Sequence, residues 1–255
     1  MSTPVLLLNC GSSSIKYQVI DADSEAVVAS GIIQRIGEES GSLDHKLDGE
    51  MVHVDRGFPN HARALTYLVR VFNAHGPDLD TIKAVGHRTV HGGDKFRAPV
   101  VIDDQVIEDL REISPLAPLH NPPGIAGIEA AREALPDVPH VAIFDTAFFA
   151  SLPPEAYTYA VPSDLAKNHH VRKYGFHGTS HSYVSKRVAE FLGRDYSELK
   201  QIVCHLGNGA SVSAIDRGVA VDTSMGRPAG RLGDGYPLGR RRPGAARLSG
   251  SARWA

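Results

Sequence analysis

A polar turn near the start of the chain, residues 11–14, has the composition of a phosphate-binding site. It follows the apolar run 5–8 and precedes an alternation of apolar and polar residues over 15–19. Glycine and serine at the turn offer backbone N–H groups, hydroxyls and no bulky side chain, and Lys16 adds a positive charge. The pattern therefore predicts a strand, a tight turn and a second strand, and the turn is either a phosphate contact or an ordinary hairpin.

A second stretch, in the last quarter of the chain, repeats this plan. Residues 202–206 form an apolar run, residues 207–209 a small polar turn, and residues 210–216 alternate. A third strand is predicted at 219–221, just as one is predicted at 27–33 after the first turn. The sequence therefore predicts two domains of one β-β-β plan, each offering a phosphate-sized turn to a shared cleft.

Two charged residues occupy positions where α/β proteins bind ligands. Arg88 follows a short buried strand at 84–87, and Asp145 follows another apolar strand. Ligands bind at the carboxyl ends of such strands, and a guanidinium fork suits a carboxylate. The simpler interpretations are a surface ion pair for Arg88 and a capping role for Asp145. For His120 and His177, the simpler interpretation is a partly buried, hydrogen-bonded structural residue.

Regular elements around these residues follow from periodicity. Alternation predicts strands at 26–36 and 51–54, separated by a Gly/Ser/Asp-rich loop at 37–49. Apolar residues at helical spacing predict an amphipathic helix at 61–75 and a second helix at 105–113.

Two further helices are predicted from their starting residues. Pro122 and Pro123 are suited to open one helix, and Thr179 or Ser180 is suited to cap another. The prolines at 153–154 mark a plausible domain boundary. Three apolar residues lie along one side of the last helix: Val184, Val188 and Phe191.

Composition limits the classes of protein. The chain has 255 residues, 42% of them hydrophobic, which is ample for one or two domains with real cores. Its net charge of -2 argues against a nucleic-acid binder. Cys10 and Cys204 each lie in an apolar run, which predicts buried thiols in a reducing cytosol. No leader or membrane-length apolar run is present, so we expect a soluble, cytoplasmic protein without a membrane partner.

Six motifs, in this order, give the chain a resemblance to the acetate kinase family, within the acetate and sugar kinase, Hsp70 and actin superfamily. The resemblance covers residues 1 to about 226. The motifs are Asn-x-Gly-Ser-Ser-Ser-x-Lys at 9–16, His-Arg-x-Val-His-Gly-Gly at 87–93, Leu-His-Asn-Pro-Pro at 119–123, Phe-Asp-Thr-Ala-Phe at 144–148, Tyr-Gly-Phe-His-Gly-Thr-Ser-His at 174–181 and His-Leu-Gly-Asn-Gly at 205–209.

The resemblance implies a fold, a reaction and partners. The fold is a duplicated ribonuclease H-like, actin-like α/β ATPase fold, with one domain at 1–150 and a partial second domain at 151–226 on either side of a nucleotide cleft. The reaction is reversible phosphoryl transfer from ATP to acetate, which gives acetyl phosphate and ADP and uses Mg²⁺. The family forms homodimers, but most of the second domain that would build the interface is not in this sequence.

The resemblance also implies roles for particular residues. Asp145 is an acid/base in descriptions of the family, but acetate is already ionised near neutral pH, so we expect it to position charge or organise a metal. The other implied roles are Mg²⁺ binding by Asn9; nucleotide contacts by Ser12, Lys16, His205, Leu206, Gly207, Asn208 and Gly209; binding of the substrate carboxylate by Arg88; a methyl pocket of Val90, Leu119 and Phe176; a place for His120 near the carboxyl or phosphoryl group; and transition-state stabilisation by His177.

Three other functions are compatible with parts of the pattern. A propionate or butyrate kinase would differ in substrate profile, and a non-catalytic fragment would keep only part of the site. A metal-dependent hydrolase is suggested by 13 histidines and by the spacing of His177 and His181. Against the hydrolase, no glutamate stands beside His177, and the following Gly-Thr-Ser predicts that His177 precedes the helix.

The composition changes abruptly after residue 226. Residues 227–255 use only Arg, Pro, Ala, Gly, Leu, Asp, Tyr, Ser and Trp, as a low-complexity tail or out-of-frame GC-rich DNA would. Residues 234–240 can be encoded as GAT GGG TAC CCG CTC GGG CGA, and removing the first base gives Met-Gly-Thr-Arg-Ser-Gly, a motif of the family. We therefore predict a change of reading frame, an inactive and aggregation-prone 255-residue product, and exposed strand edges and apolar surface near 202–215.

Overall fold

The computed structural model describes residues 2–207 and 209–226, which form two β-sheets and six α-helices. The predicted change of reading frame lies outside the described residues. The strands are β1 (Pro4–Cys10), β2 (Ser14–Asp21), β3 (Val27–Gln34), β4 (Ser42–Leu47), β5 (Glu50–Asp55), β6 (Ala84–Thr89), β7 (Val100–Val101), β8 (His140–Phe144), β9 (Lys200–Leu206), β10 (Ala210–Asp216) and β11 (Val219–Thr223). The helices are α1 (His61–His75), α2 (Asp104–Ile113), α3 (Asn121–Ala134), α4 (Pro154–Tyr157), α5 (Ser163–Asn168) and α6 (Gly178–Leu192).

The first sheet has eight strands in the order β5-β4-β3-β2-β1-β6-β8-β7. Its centre is parallel, because β1 pairs with β6 and β6 with β8 in the same direction. Alternate residues of β1 and β2, such as Leu8 and Tyr17, face a core that α1 and α3 cover. A second cluster joins α2 and α3 to Phe144 of β8. The helices α1, α2 and α3 therefore cover one face of this sheet.

The second sheet has three antiparallel strands in the order β11-β10-β9. The strands β9, β10 and β11 repeat the plan of β1, β2 and β3, so the predicted duplication of a β-β-β unit is confirmed in the described residues. One face packs on α6, through Ser211 and Ser213, which contact His181. The opposite face is apolar and exposed among the described residues, as predicted for this region: Ile202 (60% exposed), Leu206 (82%), Val212, Val219 and Val221.

Glycines allow two close approaches that the site depends on. A Cβ at Gly127 of α3 would collide with the Sγ of Cys10 on β1, so glycine lets this helix lie directly on the sheet. A Cβ at Gly178, the first residue of α6, would collide with the carbonyl oxygen of Asp145. At these two points, each helix therefore lies closer to its neighbour than a larger residue would permit.

Three expectations from the sequence are wrong. The loop expected at 37–49 contains the strand β4, whose Leu43 and His45 are buried against the core. Cys204 is exposed rather than buried, because it lies on the uncovered face of β9. The cap of α6 is His177, and neither of the predicted hydroxyls caps the helix.

The apolar side of α6 is also not the side that packs. Val184, Val188 and Phe191 are exposed, and the buried stripe consists of small and polar residues. Two other predictions are confirmed: α1 spans His61–His75, and Pro122 and Pro123 lie in the first turn of α3. Among the described residues, every helix is too short or too polar to cross a bilayer.

Candidate functional site

Three predicted residues meet at the carboxyl ends of the parallel strands. In the register of β1, β6 and β8, Leu8 lies opposite His87, and Arg88 lies opposite Ile143. Side chains alternate along each strand, so Asn9, Arg88 and Asp145 emerge on the same face, opposite the helix-covered core. The topology alone therefore brings an amide, a guanidinium and a carboxylate together.

Arg88 is held between the other two side chains. Its Nη2 donates to Oδ2 of Asp145 at 2.6 Å and its Nε to the same oxygen at 3.2 Å, while Nη1 donates to Oδ1 of Asn9 at 3.1 Å. Asp145 is only 2% exposed, whereas the Arg88 side chain is 38% exposed. These bonds use one N–H on each nitrogen, and a guanidinium carries five. In the described part of the chain, two N–H groups of Arg88 are therefore not used by Asp145 or Asn9.

The amino-terminal end of α6 closes the site on the other side of Asp145. The Gly178 N–H donates to the Asp145 carbonyl at 3.0 Å, and the Thr179 hydroxyl donates to Oδ1 of Asp145 at 3.2 Å. A helix amino terminus favours negative charge. Asp145 therefore links the first sheet to the element that carries His177, and its contacts are those of a residue that positions Arg88.

His177 immediately precedes α6 and has left-handed backbone torsions, with φ 59° and ψ 24°. Such a conformation is rare for a residue with a side chain, and it is often found at functional sites. The ring bonds through Nδ1 to the Ser211 hydroxyl at 2.9 Å and stacks on His205, with centroids 4.1 Å apart. Burial, and then the neighbouring His205, lower the pKa of His177. A neutral imidazole is therefore favoured near neutral pH.

Among the described residues, the geometry of His177 and His181 gives no support to the hydrolase alternative. The His181 ring bonds through Nε2 to Ser211 and through Nδ1 to Ser213, both at 2.8 Å, so serine hydroxyls occupy both nitrogens. Residues 2–207 and 209–226 contain no cluster of three histidine, cysteine or acidic side chains arranged for a metal. His177 also precedes the helix, so it does not share a helical face with His181.

The first turn is open to solvent. The Gly11 N–H donates to the Ser14 carbonyl at 2.8 Å, which closes the bend, and His61 of α1 bonds to the Gly11 carbonyl at 2.6 Å. Ser12 is exposed at the tip, and Lys16 is exposed on β2 directly opposite Asn9. The predicted phosphate contacts are thus accessible, and their role stays a prediction.

The second turn lies against His177. A Cβ on Gly209 would come within 3.2 Å of Cε1 of His177, and the Gly207 N–H bonds to the Gly209 carbonyl at 3.1 Å. His205 enters the turn through its stack on His177, and Leu206 is exposed. The prediction for Asn208 lies outside the described residues. The turn predicted to hold nucleotide is therefore connected, through His177 and α6, to the strand ends of the first sheet.

The predicted methyl pocket is only partly assembled. Phe176 is fully buried and contacts the His91 ring, with centroids 5.5 Å apart, and Val90 precedes His91 and is half-buried. Leu119, in contrast, is 57% exposed. His120 is half-buried, and burial followed by the Arg88 charge lowers its pKa.

Asn121 is a positioning residue that the sequence analysis left without a role. Its Oδ1 accepts from the His91 N–H at 3.2 Å, and its Nδ2 donates to the His91 carbonyl at 3.0 Å. This clamp fixes the loop after β6, which follows Arg88, to the start of α3, which follows His120. Asn121 lies in the motif at 119–123, but the sequence did not indicate that its side chain would hold the backbone of His91.

The described residues fit Mg²⁺ only as an ion that arrives with phosphate ligands. Asn9 and Asp145 supply oxygen atoms, but both already accept from Arg88. Mg²⁺ commonly binds through one or two carboxylates together with substrate phosphates. Asn9 and Asp145 are the residues that would hold it.

The chain is similar in sequence and in structure to known proteins. The sequence profile of the Acetokinase family matches residues 4–230. Acetate kinase of Helicobacter hepaticus is 51% identical over 87% of this chain and 57% of its own length. The crystal structure of Porphyromonas gingivalis acetate kinase matches with a TM-score of 0.83 at 44% identity, covering 88% of this chain and 57% of the other. A propionate kinase from Francisella tularensis matches with a TM-score of 0.81 at 37% identity and the same coverage.

These matches cover only part of each relative. The chain spans about 57% of the length of the curated relatives that it matches. The family match ends at residue 230, close to residue 226, where the composition changes.

Proposed function

Since the chain belongs to the Acetokinase family, we propose that residues 4–226 supply the acid-binding part of an acetate kinase site. The reaction would transfer the γ-phosphoryl group of ATP to acetate, giving acetyl phosphate and ADP, in the cytoplasm. The observation that supports it best is the placement of Arg88, which Asp145 and Asn9 hold at the strand ends with N–H groups to spare.

In this proposal, each residue has a limited task. Arg88 binds the acetate carboxylate through two N–H groups, and Asp145 keeps the guanidinium in place. No residue needs to remove a proton, because acetate is ionised at neutral pH. His177 donates a hydrogen bond to an equatorial oxygen of the transferring group, where charge is spread in the transition state. Mg²⁺ bound with ATP would neutralise phosphate charge.

The nucleotide contacts are proposed for both turns. They are assigned to Ser12 and Lys16 of the first turn and to residues 205–209 of the second. Phosphoryl transfer depends mainly on positioning and electrostatics, so an inflexible junction between Asp145 and α6 is what this chemistry needs. A homodimer, as the resemblance implies, is part of the proposal for the full-length enzyme only.

A larger acid is the second candidate substrate. Leu119, expected to close the methyl pocket, is exposed in the described structure, and a propionate kinase is among the similar structures. A pocket open on that side would accept propionate or butyrate. Discrimination by one methylene in an apolar pocket is worth about 1–3 kcal/mol, so the substrate profile separates these candidates.

The test compares two proteins. One is the 255-residue chain, and the other is the frame-restored protein, in which the codons after Gly226 are read in the frame that encodes Met-Gly-Thr-Arg-Ser-Gly. Each is incubated with MgATP and acetate, propionate or butyrate, and the acyl phosphate is trapped with hydroxylamine. We expect product from the frame-restored protein, with the highest kcat/KM for acetate, and none from the 255-residue chain. No acyl phosphate from the frame-restored protein would refute the proposal.

A further inference from the structure

A buried row of side chains runs from the core of the second sheet to His177. The Ser213 hydroxyl contacts Nδ1 of His181 at 2.8 Å, Nε2 of His181 contacts the Ser211 hydroxyl at 2.8 Å, and that hydroxyl contacts Nδ1 of His177 at 2.9 Å. Ser213, His181 and Ser211 are each at most 2% exposed. These four residues are named the Ser-His row below.

Ser211 is buried, and in the described residues its hydroxyl contacts no acceptor besides these two rings, so it donates to one of them. The row then has two possible directions, because a neutral imidazole carries one N–H and a hydroxyl donates once. In one direction, Ser213 donates to His181, His181 donates to Ser211, and Ser211 donates to His177. In the reverse direction, Nδ1–H of His177 donates to Ser211, and Ser211 donates to Nε2 of His181. The Nδ1–H of His181 then donates to Ser213.

Burial of Ser213 decides between the two directions. In the reverse direction the Ser213 proton needs another acceptor, and the described residues provide Ser213 with no hydrogen-bonding side chain besides His181. A buried donor without a partner is costly. In the forward direction every proton of the row is used, and Nδ1 of His177 must accept. The proton of neutral His177 then lies on Nε2.

The free edge of His177 faces the second turn. A Cβ on Gly209 would lie 3.3 Å from Nε2 and 3.2 Å from Cε1. The ring is also held by its stack on His205, which in turn bonds through Nδ1 to the Ser180 hydroxyl at 2.9 Å. An N–H at Nε2 therefore points to where the second turn would hold a phosphate.

We propose that Ser213, His181 and Ser211 are positioning residues that fix the tautomer of His177, so that neutral His177 presents an Nε2–H donor to the transferring phosphoryl group. The use of this donor rests on the proposed function. The tautomer itself does not, since it follows from the contacts of the second sheet and α6.

The test reads the tautomer directly. The full 255-residue chain is labelled with ¹⁵N, and long-range ¹H–¹⁵N correlation at pH 8 reports which nitrogen of His177 is protonated, without nucleotide or acid. We expect Nε2–H to dominate. Ser211→Ala should shift the tautomer ratio towards Nδ1–H by about fivefold, which corresponds to one hydrogen bond of about 1 kcal/mol. Ser213→Ala should shift it in the same direction by less.

Two further variants make the result specific. Ser211→Thr keeps the hydroxyl and should retain the wild-type tautomer. Ser180→Ala removes the contact to His205 and leaves the row intact, so it should also retain it. If Ser211→Ala does not fold, Ser213→Ala and Ser211→Thr still decide the question.

The proposal is overturned if wild-type His177 is protonated mainly on Nδ1, or if Ser211→Ala and Ser213→Ala both keep the wild-type ratio. Because the spectra are recorded without substrates, a failed kinase assay would leave this result standing. A wrong tautomer would, conversely, leave carboxylate binding by Arg88 untouched.

Discussion

The two sheets begin with the same β-β-β plan and differ in what covers them. The first sheet packs on α1, α2 and α3, and its two clusters contain most of the buried apolar side chains. The second sheet packs on α6 through serines and histidines, and the apolar cluster on its side contains only Phe149, Leu152 and Ala220 among its buried members. The first region thus has a hydrophobic core covered by its own helices. The second, as far as the structure describes it, exposes apolar surface that stable monomers normally cover.

The candidate site has residues from both regions. The Arg88–Asp145 pair stands on the region with a complete core, whereas His177 and the second turn depend on the region that lacks one. We therefore expect substitutions in the first sheet to change global stability and equivalent ones on the open face of the second to change little.

The largest contrast is expected from one substitution made in both sheets. Ile15→Ala removes a fully buried side chain from β2, and should cost about 2–5 kcal/mol through lost burial and a cavity. Ile202→Ala on the open face of β9 should change stability by at most about 0.5 kcal/mol. Urea denaturation followed by far-UV circular dichroism measures both. Equal losses would mean that the second sheet is covered as the first is.

The ion pair at the junction should come next. Arg88→Ala leaves the buried carboxylate of Asp145 with the Thr179 hydroxyl and without its guanidinium partner, and should cost about 1–3 kcal/mol. Arg187→Ala is the matched control, since Arg187 pairs with Glu190 on the exposed surface of α6 and should cost at most about 1 kcal/mol. Comparable losses in the two variants, in the same denaturation assay, would contradict the burial of the Asp145 carboxylate at the junction.

The contact between the regions can be tested with two glycines. Gly178→Ala places a methyl group against the Asp145 carbonyl and should cost about 1–3 kcal/mol by pushing α6 from the strand ends. Gly124→Ala, in the helix α3, meets no atom within 4 Å and should be neutral or stabilising, by up to about 1 kcal/mol. Thermal unfolding distinguishes them, and a neutral Gly178→Ala would contradict the described close approach.

Acid should weaken the first sheet through His87, the smallest effect of the four. Burial, and then the charge of neighbouring His140, lower the pKa of His87 to about 3. The unfolded chain binds this proton near pH 6.5 and the folded chain does not, so stability is full above that pH and falls below it. The loss at pH 5.5 is about 1.4 kcal/mol.

The His87→Gln variant isolates this effect. It should lose about 1.4 kcal/mol less than the wild type between pH 7.5 and pH 5.5. An unchanged pH dependence in His87→Gln would rule out His87 as the source.

Local patterns explain which parts of the fold were predictable. The hairpin of β1 and β2 and the helix α1 follow from alternation and helical spacing, and Asp145 was placed from the end of an apolar strand. The strand β4 was missed because its glycine- and serine-rich surroundings outweighed the alternation of Leu43 and His45. Cys204 was misplaced because an apolar run indicates burial on both faces, whereas cover is decided by tertiary neighbours.

Individual residues of the site could be predicted from the sequence, but the contacts between them could not. The motifs identified Arg88 and Asp145, but their ion pair depends on the parallel pairing of β6 and β8. Ser211 was not singled out, because its contact with His177 joins residues 34 positions apart on different elements. Contacts of this kind have no period and no local signature in the sequence.

The most direct test of the central claim is the KM for acetate, measured for the frame-restored protein and its Arg88→Lys variant. A lysine keeps the charge and loses the fork. We expect the KM for acetate to rise about tenfold or more, which is about 1.4 kcal/mol of binding energy, while the KM for ATP changes less than about twofold. An unchanged KM for acetate, with ATP affected instead, would contradict the assignment of Arg88 to the carboxylate.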